Sequence, residues 1–142
     1  MAITYENVIF DRVIDSLQTI IADEFNIQVY FDEHEGNQSF LITPGEDALE
    51  DSLTSGQIRH YTVSIEYQLQ SAGNYTKNSM KQVSAITERM KRLLYNNRNY
   101  IVSGTTKFYN GIVESIVYER DEEDQSILRS NTSFTCATME LV

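Results

Sequence analysis

The sequence predicts an α+β fold, with two amphipathic helices packed on a mixed, mainly antiparallel β-sheet in the order α-β-β-β-α-β-β. Three observations carry that prediction. Residues 5–25 and 77–95 repeat apolar side chains at spacings of three and four; residues 58–70 alternate apolar and polar positions; and residues 105–120 and 127–141 are two further alternating runs around one acidic turn. The 142 residues suit a single domain, 1–142, with a core that needs neither metal nor disulfide.

In the first helix Ile9, Val13, Leu17, Ile20 and Ile21 form the stripe, widened by Phe10, Ile14 and Phe25. Thr4 is a plausible N-cap, Glu6 favours the positive end of the helix dipole and Asn26 is a stop. Asp23 and Glu24 sit at the unfavourable end of that dipole, either solvated or kept for a partner. Two short strands, residues 27–31 and 39–43, are expected to pair as a hairpin across the polar turn Asp32-Glu33-His34-Glu35-Gly36-Asn37. Pro44-Gly45 reads as the end of the second, and residues 44–57 as a long polar loop of the kind that often carries function.

The strand at 58–70 places Tyr61, Val63, Ile65, Tyr67 and Leu69 on one face, with Tyr61 and Tyr67 read as core. A turn is expected at Ser71-Ala72-Gly73-Asn74. The second helix buries Met80, Val83, Ile86, Met90, Leu93 and Leu94, turns Lys81, Arg89, Lys91 and Arg92 outward, and stops at Asn96-Asn97. The closing strands flank Asp121-Glu122-Glu123-Asp124-Gln125 and carry apolar residues on parts of both faces. Such a hairpin can project and have its sheet extended by neighbouring copies.

Net charge is −10, in separated blocks. Residues 1–51 hold 12 acids against Arg12 alone, and residues 77–107 hold seven bases against Glu88 alone. Blocks of opposite sign let one copy meet the next, or another charged partner, through complementary potentials; a solvated basic helix face is the competing reading. The basic helix with Tyr75, Tyr95 and Tyr100 nearby is also a candidate nucleic-acid surface, although a dedicated binder is usually basic overall.

No catalytic or cofactor motif is present: no Gly-rich phosphate loop, no GxSxG and no HExxH. An enzyme is not expected, and neither a cofactor nor a metal. Asp32-Glu33-His34-Glu35 reads as a solvated turn, because adjacent residues rarely converge on one ion. Asp121–124 lacks the glycine and distal glutamate of a calcium loop. His34 and His60 read as surface residues, with His60 placed where Glu66 is within reach. Cys136, the single cysteine, reads as a small buried apolar residue in a reducing compartment. No signal peptide or membrane span is expected.

Taken together, the opening helix 5–25, the turn at 32–37, the loop 44–57, the strand RHYTVSIEYQL (59–69), the helix NSMKQVSAITERMKRLLYN (78–96) and the two closing strands resemble the phage tail-terminator, or tail-completion, family. The likeness spans nearly the whole chain and lies in element order, size and texture. It implies a structural virion protein, assembled in the host cytoplasm and placed at the tail–neck junction. Such subunits form a ring, commonly a homohexamer, on the last tail-tube ring; the ring ends tube growth, meets neck or head-completion proteins and passes DNA through its channel. The tail-tube protein, with the sheath as a further candidate, and the neck proteins are the implied partners. On this reading Lys81, Arg89, Lys91, Arg92, Arg98 and Tyr118 are subunit-interface candidates. Glu46, Asp47, Glu50, Asp51, Asp121, Glu122, Glu123 and Asp124 are candidates for the channel or a partner-facing surface. A head–tail stopper or another connector protein is the alternative within the same machine; a nucleic-acid-binding module using the basic 77–107 face is the alternative of another class.

Overall fold

The structure is a computed structural model and describes residues 2–70, 77–124 and 126–141. The turn expected at Ser71-Ala72-Gly73-Asn74 lies outside the described residues, as does Gln125.

The first helix has two parts. A π-helical segment (Ile9–Ile14) runs without a break into helix α1 (Asp15–Glu24), and at the junction the Asp15 N–H donates to the Phe10 carbonyl five residues back. The wider turn leaves Val13, Ile14, Leu17 and Ile21 fully buried on one side. Six strands follow in one sheet of order β1-β2-β3-β6-β5-β4: β1 (Val29–Tyr30), β2 (Gln38–Leu53), β3 (Gly56–Gln70), β4 (Tyr100–Val102), β5 (Thr105–Arg120) and β6 (Ile127–Leu141). Helix α2 (Lys77–Asn96) lies between β3 and β4 in the chain.

The α+β class stands, with three corrections to the expected strands. Residues 27–31 and 39–43 do not pair as a hairpin. Val29 and Tyr30 lie parallel to Phe40 and Leu41, so the intervening segment crosses back over the sheet rather than turning tightly. Residues 44–57 are not a loop. They extend β2 into a long two-stranded arm with β3, paired out to Leu53 opposite Gly56. Pro44-Gly45 is absorbed as a bulge: Pro44 pairs with Val63 and Glu46 with Thr62, leaving Gly45 extra, and a second shift leaves Glu50 extra. Glycine is required at 45, where a Cβ would stand 2.8 Å from the Thr62 carbonyl oxygen. Pro44 is tolerated because β1 pairs only with Phe40 and Leu41, so β2 is an edge strand from there on and lacks no ladder partner. The third correction is β4, a short strand closing a hairpin with β5 through Ser103 and Gly104, both at positive φ.

One face of the sheet carries the core. Phe40 and Ile42 of β2, Tyr61, Val63, Ile65 and Tyr67 of β3, Phe108 of β5, and Leu128, Phe134 and Cys136 of β6 are buried there against the helices. Phe25 stacks obliquely on Phe40, and Phe40 on Tyr67, with centroids 5.3 and 5.2 Å apart. Each fully buried side chain of this size contributes about 1.5–3 kcal/mol by leaving water, so this layer dominates the stability. Helix α2 is pinned by Val83, Met90 and Leu94 and by one buried polar contact, Thr87 Oγ1 to Ser130 Oγ at 2.6 Å.

Candidate assembly surfaces

Helix α2 packs on β6, where Thr87 meets Ser130, and on β3 and β5 as well, yet it leaves part of β5 only partly covered. The result is a groove of about 710 Å³ between helix and strand. Gly111, Ile112 and Val113 form its floor; Glu88, Lys91, Arg92, Tyr95 and Arg98 form its wall and end. A shallower cleft of about 270 Å³ continues past Glu88 and Lys91 to Ile116 and Tyr118. The groove owes its shape to another bulge. Tyr109 pairs with Ala137 and Ile112 with Thr135, so Asn110 (φ 53°) and Gly111 bow out, held by Gly111 N–H to the Arg98 carbonyl at 2.8 Å and Asn110 N–H to Asn99 Oδ1 at 3.1 Å. Phe134 lies directly beneath Gly111.

Of the expected interface residues, Lys91, Arg92, Arg98 and Tyr118 come together along this groove and its continuation. Among the described residues Arg92 and Arg98 have no carboxylate partner. Both instead sit over the Tyr95 ring, at 5.9 and 4.8 Å, and Tyr95 is 57% exposed. Lys91 reaches back to Glu88 at 2.8 Å. Lys81 is exposed outside the groove. Arg89 points the other way. It binds the Glu24 carboxylate at 2.7 Å, donates to the Glu24 carbonyl and lies 4.6 Å over Phe25. The acid at the unfavourable end of the first helix is therefore matched internally, and Arg89 clasps the two helices.

The acidic candidates form two groups at opposite ends of the strands. Glu46, Asp47, Glu50 and Asp51 lie on the β2 arm, where the strand is mostly exposed and Leu49 and Leu53 stand out between them. Asp47 is paired with Arg59 of β3 at 2.8 Å. Asp121, Glu122, Glu123 and Asp124 form the β5–β6 turn. Asp121 there accepts the N–H groups of Glu123 and Asp124 and the Arg129 guanidinium, which together hold its carboxyl below the ordinary range.

Two polar clusters had no counterpart in the expected sites. The segment after β1 lays His34 on the face away from the helices, with Nδ1 2.6 Å from Ser39 Oγ and Nε2 2.8 Å from Glu66 Oε1. His34 is thus no solvated turn residue, and it is His34, not His60, that meets Glu66. Arg129 continues the chain, 3.6 Å from Glu66, 2.9 Å from Gln68 and 2.8 Å from Asp121. The order Ser–His–Glu resembles a nucleophile relay in outline, but Ser39 is fully buried, so no substrate reaches its hydroxyl. Near the arm, Arg12 binds both oxygens of Glu6 and the Met139 carbonyl, while the Tyr61 hydroxyl donates to Glu140 at 3.0 Å. Burial first, and then this bond, raises the Tyr61 hydroxyl pKa well above its usual value.

Among the described residues no three His, Cys, Asp or Glu side chains converge as metal ligands, and no helix is long and apolar enough to cross a membrane. Compared with known proteins, the chain matches no protein-family model and no curated protein.

Proposed function

We propose that this chain is a ring-forming structural subunit of a phage tail, a terminator that caps the tail tube, ends its growth and joins it to the neck while DNA passes through. The observation that carries this reading is the sheet's two open sides. Among the described residues, β2 beyond β1 pairs only with β3, and β5 beyond β4 pairs only with β6. The two sides are unlike one another: one bears the acidic arm, the other the groove with Arg92 and Arg98. Unlike, complementary sides favour head-to-tail contacts, which close into rings when the rotation per copy allows. The acids of the β5–β6 turn are the candidates for the channel wall, where negative charge keeps the DNA backbone from sticking, and those of the arm for a partner-facing surface.

Native mass spectrometry and negative-stain electron microscopy of the purified chain test the proposal. Closed rings that cap isolated tail tubes are the expected result; a monomer that leaves tubes uncapped overturns it. A neck stopper is separated by the same assay, since it assembles on the head connector and not on the tube. The second reading, nucleic-acid binding, is favoured by one observation: Tyr95, exposed between two arginines, is a surface suited to a base and its phosphates. Its signature is salt-dependent DNA binding lost in Arg92→Glu.

A further inference from the structure

The α2–β5 groove is built for an occupant the single chain does not supply. Its floor is Gly111 and the half-buried Val113, and its rim holds two arginines without carboxylate partners among the described residues. The β2 arm has the inverse character. From Glu46 to Leu53 it is mostly exposed, offers Leu49 (55% exposed) as an apolar anchor, and carries Glu46, Glu50 and Asp51 along its length, which have no cationic partner among the described residues. Asp47 is excluded from that set by its pairing with Arg59.

We infer that the groove between α2 and β5 receives the β2 arm of a second copy, with Leu49 over Val113 and the acids of the arm against Arg92 and Arg98. The inference rests on the ring proposed above and names which surface of one copy meets which of the next. Three features support this occupant. The charges are complementary and unspent on both sides. The arm is already ordered by pairing with β3 out to Leu53, so little ordering cost attends its docking. No residue of the chain's own arm lines the groove, and arm and groove belong to β2 and β5, with β3 and β6 paired between them. The contact is therefore between unlike surfaces and propagates from copy to copy.

Charge exchange in the full chain tests it. One variant reverses the groove (Arg92→Glu with Arg98→Glu); a second reverses the arm (Glu46→Lys, Glu50→Lys and Asp51→Lys). All five positions are surface side chains, and circular dichroism checks the fold of each variant. Each variant alone is expected to assemble at least about tenfold more weakly than the wild type by sedimentation, since like charges then face one another. Mixing the two restores assembly, because every arm in an alternating array again meets a groove of opposite sign. Independently, Leu49→Cys mixed with Val113→Cys is expected to give an oxidised intermolecular dimer, with Cys136 buried and silent.

Rings that persist in both variants overturn this inference and leave the ring itself standing. Failure of the mixture to recover, or an intact assembly in which the groove variant loses only DNA binding, also overturns it. A wild-type chain that stays monomeric at high concentration removes both proposals. Assembly that follows the charge exchange without capping tubes removes the terminator reading alone.

Discussion

His34 Nε2 lies 2.8 Å from Glu66 Oε1, joining the segment after β1 to the middle of β3 across 32 residues of chain. The other ring nitrogen meets Ser39, whose hydroxyl is fully buried. His34→Ala leaves that hydroxyl without its partner and takes a charge-assisted contact from Glu66. The expected loss is about 1–3 kcal/mol, seen as a Tm lower by several degrees in thermal unfolding. Unchanged melting would mean that water replaces the imidazole at no cost.

Gly111 and Gly56 are close-approach positions. A Cβ at Gly111 would stand 2.8 Å from the Phe134 ring and 3.2 Å from the Arg98 Cα, and one at Gly56 would overlap the Glu140 carbonyl oxygen. Gly111→Ala is expected to destabilise by about 1–3 kcal/mol, the usual range for overpacking. Gly56→Ala costs more, because backbone rather than a side chain must yield. Denaturant unfolding midpoints compare the two.

The β5–β6 turn responds to acid. Asp121 has a folded pKa held below its unfolded value, first by the Asp124 N–H, then by Arg129 and the Glu123 N–H. Its contribution is thus present above the unfolded carboxylate pKa and is lost as pH falls through the folded one. Amide exchange at Glu123 and Asp124 is expected to accelerate below the ordinary carboxylate range in the wild type, and to be fast already at neutral pH in Asp121→Asn. Equal acid sensitivity in both would assign the effect to another carboxylate.

Cys136 is sealed in the core, and burial pushes its thiol up to about 12. Labelling by a thiol reagent at neutral pH is expected to wait for opening of the sheet, so its rate follows denaturant concentration. Rapid labelling of the native chain would contradict the burial.

Periodicity made the core legible. Val13, Leu17 and Ile21 on the first helix, Tyr61, Val63, Ile65 and Tyr67 on β3, and Val83, Met90 and Leu94 on α2 are buried as their spacings predicted. The β2 arm was illegible for a physical reason. Exposed on both faces, it has no apolar alternation, and its Pro-Gly pair marks a bulge in an edge strand instead of an end. The direction of β1 depends on two residue pairings that no local pattern encodes. In the candidate site, the outward positions of Lys91 and Arg92 followed from the helix stripe, but the engagement of Arg89 by Glu24, 65 residues away, did not. The groove itself arises from how α2 sits on the sheet, which leaves no mark in the spacing of residues on either element.

The last strand in chain order is a central one: β6 lies between β3 and β5 and pairs with both along nearly its whole length. Every ladder bond between the β2–β3 arm and β5 therefore runs through this one fifteen-residue strand. Loss of its pairing would bare the inner rims of β3 and β5 together, two open edges to any strand that passes, including the same segment of another copy.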